Sequence, residues 1–427
     1  MLKLIIRNIG KLKDAAIEIN GITVIAGEND TGKSTVGRCL FAICNSFYDF
    51  DNKIENERKK SVAAILSRIS LHLRHEKRVF LNINEEELAD IIVTRLSNTL
   101  SEKQDLQESI INEIRQYDQN IIISIDNEEL QSICSNIQAT LLVSDFELLS
   151  LIIEKKLDAE FNSQICNIFN NEDAGEIQVK LKNVFFRTVI RNDRLSEMSS
   201  ESILPIKGDV LYFDDPFLLE DYKKFLFPFF YGLFDHQSYM RQKLNMIRND
   251  GSIINEIIAK KKLKSIYDKI SLACKGDILF DSNQRLVYKL KGSDKTLNVH
   301  NLSTGLKTFG LVKKLLENGT LEKDGILILD EPEIHLHPKW QLLLAEIIVL
   351  LQKEFGLYVL VNTHSPYFLH AIEVYAELEG IVDVCKYYFA YNEKNSSYIK
   401  DVTGNVEVIY KTLAAPLQVL ENERYED

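Results

Sequence analysis

The chain has 427 residues, room for about two to three folding units of roughly 150 residues each, and its 45% hydrophobic and 27% charged residues exclude a disordered or fibrous protein. No run nears the roughly 18 consecutive apolar residues of a membrane span, and the N-terminus lacks an apolar stretch ending in a small-residue cleavage site, so a cytoplasmic protein with no membrane partner is expected. A net charge of −12 repels nucleic acid at long range, which leaves any such contact to a local basic stripe.

The opening segment sets Leu2, Leu4 and Ile6 against Lys3, Ile5 and Arg7, turns at Asn8 to Gly10 and resumes at Ala15 to Ile19, which predicts two antiparallel strands. Ile22 to Ala26 predicts a third strand, Gly27 to Gly32 a loop, and Lys33 to about Phe47 a helix. From Tyr48 to Leu204 the chain turns polar and charged with almost no glycine or proline, as in Glu85 to Leu100 and Leu142 to Phe161. This predicts a mostly helical insertion over residues 48–204, folded as a compact lobe because sustained heptads are missing, with short strands near Ile121 to Ile125. Asp209 to Phe213 predicts a buried strand, and Pro216 opens a helical region reaching Ala273. Three strand-like stretches follow near Ile278, Leu286 to Leu290 and Leu297 to Val299. Beyond them helix and strand alternate: Gly305 to Leu316, Ile326 to Leu329, Trp340 to Lys353, Tyr358 to Val361 and Tyr367 to Tyr375. That alternation belongs to an α/β fold with a mainly parallel core sheet, here a head built from residues 1–47 and 205–427.

Gly27-Glu28-Asn29-Asp30-Thr31-Gly32-Lys33-Ser34 fits G-x-x-x-x-G-K-[ST], in which backbone amides wrap phosphates and the lysine reaches the outer two. The expected strand before it and helix after it add the positive end of a helix dipole, and Thr35 is counted with the nucleotide-binding set. Ile326 to Leu329 deliver Asp330 and Glu331 to the tip of a buried strand, where open α/β sheets bind ligands. Asp330 suits Mg²⁺ together with the Ser34 hydroxyl, and Glu331 suits the orientation or deprotonation of an attacking water.

Ser303, in Asn301-Leu302-Ser303-Thr304-Gly305, is placed to cap a helix, and Gly305 allows close backbone approach. Since the chain's own loop already serves one ATP, this helix end is expected to address the γ-phosphate of ATP held by a second subunit. His364, at a strand end before Pro366, is positioned to hydrogen-bond the same phosphate. His335 and His337 beside Glu333 imitate a metal pair, without a third ligand of convincing spacing. Arg58-Lys59-Lys60, Arg74 to Arg78 and Lys260 to Lys264 are candidate phosphate-backbone contacts for nucleic acid, and each is also a normal solvated helix face. The six cysteines, Cys39, Cys44, Cys134, Cys166, Cys274 and Cys385, form no C-x-x-C pair and read as reduced core thiols.

The order of hairpin, phosphate loop, helical insertion, Leu302-Ser303-Thr304-Gly305, Leu329-Asp330-Glu331-Pro332 and His364 resembles the ABC-type ATPase heads of the SMC, RecF and OLD group over about residues 1–46 and 205–410. The string Leu329 to Pro338 looks like the OLD-like branch, including ATPases of the Septu and PARIS anti-phage systems. The resemblance implies two heads sandwiching two ATP molecules, with Lys33, Ser34, Asp330, Glu331 and His364 from one copy and Ser303 from the other. It implies also that Glu333 to His337 meet the partner head. Asp30 stands where many relatives have glycine, Thr304 replaces the first signature glycine, Leu306 replaces a polar residue, and Leu211 to Pro216 offer no switch glutamine. Slow or partner-dependent hydrolysis is the expectation.

OLD nucleases carry a TOPRIM domain, but the stretch after His364 shows no D-x-D constellation following a strand. An effector in trans is therefore expected, in the Septu-like case an HNH endonuclease encoded nearby. The rival readings are a RecF-like repair ATPase acting on DNA directly and a scaffold that binds ATP without hydrolysing it.

Overall fold

The computed structural model describes residues 1–76, 84–96, 106–117, 127–169, 174–220, 235–245, 263–281 and 285–425, with backbone alone at 69–76, 417, 418 and 425. The strands expected near Ile121 to Ile125, the side chains of Arg74 to Arg78 and residues 260–262 lie outside it.

Alternation at the start does what period two requires: β1 (Leu2–Ile9) and β2 (Leu12–Ile19) pair antiparallel with Leu2 opposite Ile19, and Leu2, Leu4 and Ile6 are buried. β3 (Ile22–Gly27), buried along its whole length, leads through the glycine loop into α1 (Lys33–Phe47). Then come α2 (Phe50–Glu76), α3 (Glu85–Leu96), α4 (Leu106–Tyr117), α5 (Asn127–Leu142) and α6 (Asp145–Phe161). β4 (Ala174–Leu181), β5 (Val184–Arg191), β6 (Arg194–Ser200) and β7 (Val210–Phe213) follow, and after a 3-10 turn at Pro216–Leu219, α7 (His236–Asn245) and α8 (Lys264–Ala273). β8 (Gly276–Phe280), β9 (Leu286–Leu290) and β10 (Thr296–Asn298) make a separate antiparallel sheet. The rest alternates: α9 (Thr304–Glu317), β11 (Ile326–Asp330), α10 (Pro338–Phe355), β12 (Tyr358–Thr363), α11 (Pro366–Leu378), β13 (Cys385–Glu393), β14 (Ser396–Asp401) and α12 (Glu407–Tyr425).

The fold is α/β. Its main sheet has the order β6-β5-β4-β1-β2-β14-β13-β3-β12-β11-β7. β13, β3, β12, β11 and β7 run parallel, as buried apolar strands joined through helices should, and β4, β5 and β6 extend the hairpin antiparallel. The tips of β3, β11 and β12 therefore stand side by side at one end of the sheet.

The chain divides into two compact units, residues 1–48 with 152–427, and residues 49–151. The second is helical, its core formed by Val62, Leu88, Ile92, Ile110, Ile133 and Ile137 among others. The expected boundaries of the inserted lobe, 48–204, are corrected by this division: residues 174–200 are three strands of the main sheet. Ala174–Leu181 alternates half-buried and buried positions, a period of two set within a polar, glycine-poor stretch whose composition imitates helix. No single described helix is long and apolar enough to cross a membrane.

Candidate functional site

The phosphate loop is shaped by its own side chains. Thr31 Oγ1 donates to the Glu28 carbonyl at 2.8 Å. Gly32 caps α1 at φ 80°, and a Cβ there would stand 2.7 Å from Leu12 Cδ2, so only glycine fits. Asp30 adopts φ 62°, a conformation aspartate tolerates better than most residues, while Lys11 Nζ donates to its carbonyl at 3.0 Å and pairs with its carboxylate. Glu28, Asn29 and Asp30 are exposed. Thr35 turns toward the β1–β2 turn, its Oγ1 3.1 Å from where a Cβ on Gly10 would stand.

Lys33 is 4% exposed and donates to the carbonyls of Gly27 at 2.9 Å and Glu28 at 2.7 Å. Its Nζ lies 3.7 Å from Glu331 Oε1. Burial pulls the ammonium below its ordinary pKa, against the opposing pull of the Glu331 and Asp330 carboxylates.

Asp330 closes β11 in register with Asn362 on β12. Asn362 Nδ2 donates to Asp330 Oδ1 at 3.0 Å and to the Lys33 carbonyl at 3.1 Å. On the other side Tyr212, from β7, donates to Asp330 Oδ2 at 2.9 Å. Glu331 follows at φ 49°, its amide bonded to the Asn362 carbonyl at 2.9 Å and its Oε1 3.2 Å from His364 Nδ1. Lys33, Asp330, Glu331 and His364 thus lie together at one end of the sheet.

Glu333 departs from expectation. It is 2% exposed, one oxygen bonded by the Thr363 hydroxyl and the other without a hydrogen-bond partner among the described residues, so it is no surface group; burial raises its pKa. Ser303 occupies the N-cap of α9 but makes no side-chain cap bond, which corrects the capping role expected of it. With Thr304 and Gly305 it lines a separate cleft beside His335, His337, Lys339 and Trp340, which no residue of Gly27 to Thr35 lines. Gly305 is needed there, since a Cβ would meet the Trp340 ring at 2.7 Å. His337 Nδ1 accepts from the Lys339 amide at 3.3 Å as the N-cap of α10, and among the described residues no three His, Cys, Asp or Glu side chains gather as a metal set.

Behind the site lies a bridge the sequence did not announce. His236 Nδ1 is 2.8 Å from Glu160 Oε2 and its Nε2 is 2.9 Å from Asp214 Oδ2, while its ring stacks on Tyr212 at 4.1 Å. Two acceptor carboxylates require a proton on each nitrogen. Burial works against the charge, but the bonds to Asp214 and Glu160 carry the imidazole up to about 9. Asp214, at the end of β7 where a switch glutamine was sought, has its carboxyl held below the usual range by His236 in spite of burial, and Gln237 Nε2 donates to it at 3.1 Å. The only signals for these contacts were single polar letters in apolar runs, Tyr212 and Asn362 among them.

A profile described as the AAA ATPase domain matches residues 1–369. The chain belongs to the AAA ATPase domain family. Membership makes ATP its nucleotide class. Among solved structures the chain is similar to an SMC head bound to the C-winged helix domain of ScpA, at 11% identity over 93% of this chain and 97% of that one, TM-score 0.45. It is similar also to the SMC head domain of Thermotoga maritima, at 11% identity over 94% and 98%, TM-score 0.40. A third is an SMC head with extended coiled coil from Pyrococcus furiosus, bound to the C-terminal domain of ScpA, at 13% identity over 99% and 100%, TM-score 0.42.

Proposed function

We propose that this family member is a cytoplasmic ATP-hydrolysing subunit of an anti-phage defence complex, in which two copies close around ATP and thereby control an effector nuclease supplied in trans. The observation that carries the reading is the split between two surfaces. Lys33, Asp330, Glu331 and His364 gather at the phosphate loop, whereas Ser303 opens on the cleft with His335 and His337. A single copy leaves the second surface unused, and a second copy gives it a γ-phosphate to meet.

In this reading the loop amides and Lys33 hold the β- and γ-phosphates, Lys33 exchanging its loop carbonyls for phosphate oxygens. The Ser34 hydroxyl and Asp330 are hard oxygen donors that suit Mg²⁺, since each Asp330 oxygen accepts one bond and keeps a lone pair. Bound there, Mg²⁺ would offset the charge of the triphosphate. Glu331 takes the proton of the attacking water as its oxygen bonds to the γ-phosphorus and the bond to ADP breaks. His364 contacts the γ-phosphate, held by its neighbours: the Ser365 amide bonds Thr363 Oγ1 at 3.0 Å, and Thr363 bonds Glu333.

Direct action on DNA is disfavoured where the chain is described. Arg58 pairs with Asp145 at 2.8 Å, Lys59 with Asp90 at 2.6 Å, and Lys60 with Glu57 at 3.0 Å, so this basic cluster is neutralised from within. Glu331→Gln is the test of the enzyme: turnover falls by orders of magnitude and ATP-bound dimers accumulate in size-exclusion chromatography. Unchanged turnover removes Glu331 from the reaction. Purification of the chain from its own operon tests the effector, and recovery of the ATPase alone in every nucleotide state removes that part.

A further inference from the structure

Asp330 sits on the central member of three parallel strands, and each neighbour sends one donor to it. From β7, Tyr212 donates to Oδ2 at 2.9 Å; from β12, Asn362 donates to Oδ1 at 3.0 Å. Both donors also reach the first residues of α1. Asn362 Nδ2 holds the Lys33 carbonyl at 3.1 Å, and Tyr212 Oη lies 3.5 Å from the Ser34 carbonyl. The Tyr212 proton goes to the nearer, charged acceptor, and the amide of Asn362 faces two groups that only accept, which fixes which way it points.

We propose that Tyr212 and Asn362 are positioning residues for the magnesium-binding groups: both hold Asp330 at the end of β11, and Asn362 also ties it to the Lys33 carbonyl, next to Ser34 at the start of α1. The inference rests on the reading of those two groups given above. Each donor spends its bond on one carboxylate oxygen, which prevents the carboxylate from rotating while leaving a lone pair on each oxygen. Each is braced in turn. Tyr212 is fully buried, with its ring against His236, itself tied on both nitrogens, and against Phe41 at 6.3 Å. Asn362 is 0% exposed, on a strand paired to both β11 and β3. Outer-shell partners of this kind commonly carry about 10- to 100-fold in metal affinity.

The test measures binding of a non-hydrolysable ATP analogue while Mg²⁺ is titrated, and again in EDTA, so that catalysis plays no part. In Tyr212→Phe, which deletes one oxygen, the half-saturating Mg²⁺ is expected to rise by about 10-fold or more, with affinity in EDTA within about twofold of the wild type. Asn362→Ala is expected to raise the Mg²⁺ requirement similarly and to weaken binding in EDTA as well, because it also frees the Lys33 carbonyl. It applies the same criterion should Tyr212→Phe fail to fold. A wild-type Mg²⁺ requirement in these variants, beside a raised one in Asp330→Asn, overturns the proposal. If Asp330→Asn is equally silent, the metal assignment beneath it falls, and the clamp with it.

Discussion

His236 offers a sharp test of the buried polar layer behind the site. Its imidazole rises from 6.5 to about 9 on folding, which at about 1.4 kcal/mol per pH unit amounts to about 3 kcal/mol of stabilisation. A raised pKa contributes fully below the unfolded value and is lost as pH climbs through the folded one. The loss therefore falls between pH 6.5 and about 9, continuing toward 10. His236→Gln retains hydrogen bonding but carries no charge at any pH. The window from pH 8 to 10 brackets the folded value. Across it the stability gap between wild type and variant should shrink by about 1 kcal/mol. Urea unfolding followed by the fluorescence of Trp340, the single tryptophan, reports on the unit that contains the bridge. A gap that stays constant from pH 8 to 10 refutes the charged imidazole.

Three further outcomes are expected. Lys33→Ala and Ser303→Arg should each abolish ATP turnover alone, and mixing the two should restore part of it through a hybrid pair with one intact composite site; no recovery on mixing argues against the twin arrangement. Gly305→Val places a carbon within 2.7 Å of the Trp340 ring and 2.9 Å of Leu336, which should destabilise the protein by about 1–3 kcal/mol, read by the same tryptophan. Thr363→Val strips the hydroxyl that donates to the buried Glu333 carboxylate and loosens the turn that carries His364; a loss of about 1–3 kcal/mol in urea unfolding, with slower hydrolysis, is expected, and a variant as stable as the wild type contradicts it.

What could be read from letters alone follows from how local each signal is. The loop Gly27 to Ser34 and the run Ile326 to Glu331 are contiguous, so these motifs and the strands around them were legible in one window. Tyr212, Asn362, Glu160 and His236 act through partners distant in the chain, such as Asp330, which is 118 positions from Tyr212, and no window contains both ends of such a bond. β4 to β6 failed for another reason: strict alternation in Glu176 to Leu181 was masked by the charged composition around it, and composition outweighed period. Asp30 was legible as an oddity, and the fold explains it, since its left-handed backbone is the conformation glycine supplies at no steric penalty.

Glu331 shares that handedness, at φ 49°, directly after an extended residue. The reversal between positions 330 and 331 makes neighbours along the chain face different company: one carboxylate is pinned between adjacent strands, and the next reaches the lysine and the imidazole. Two acids that an unbroken strand would have pointed to opposite faces of the sheet instead meet separate partners at the same end. That separation resides in a single backbone torsion, which a β-branched residue at position 331 could adopt only under strain.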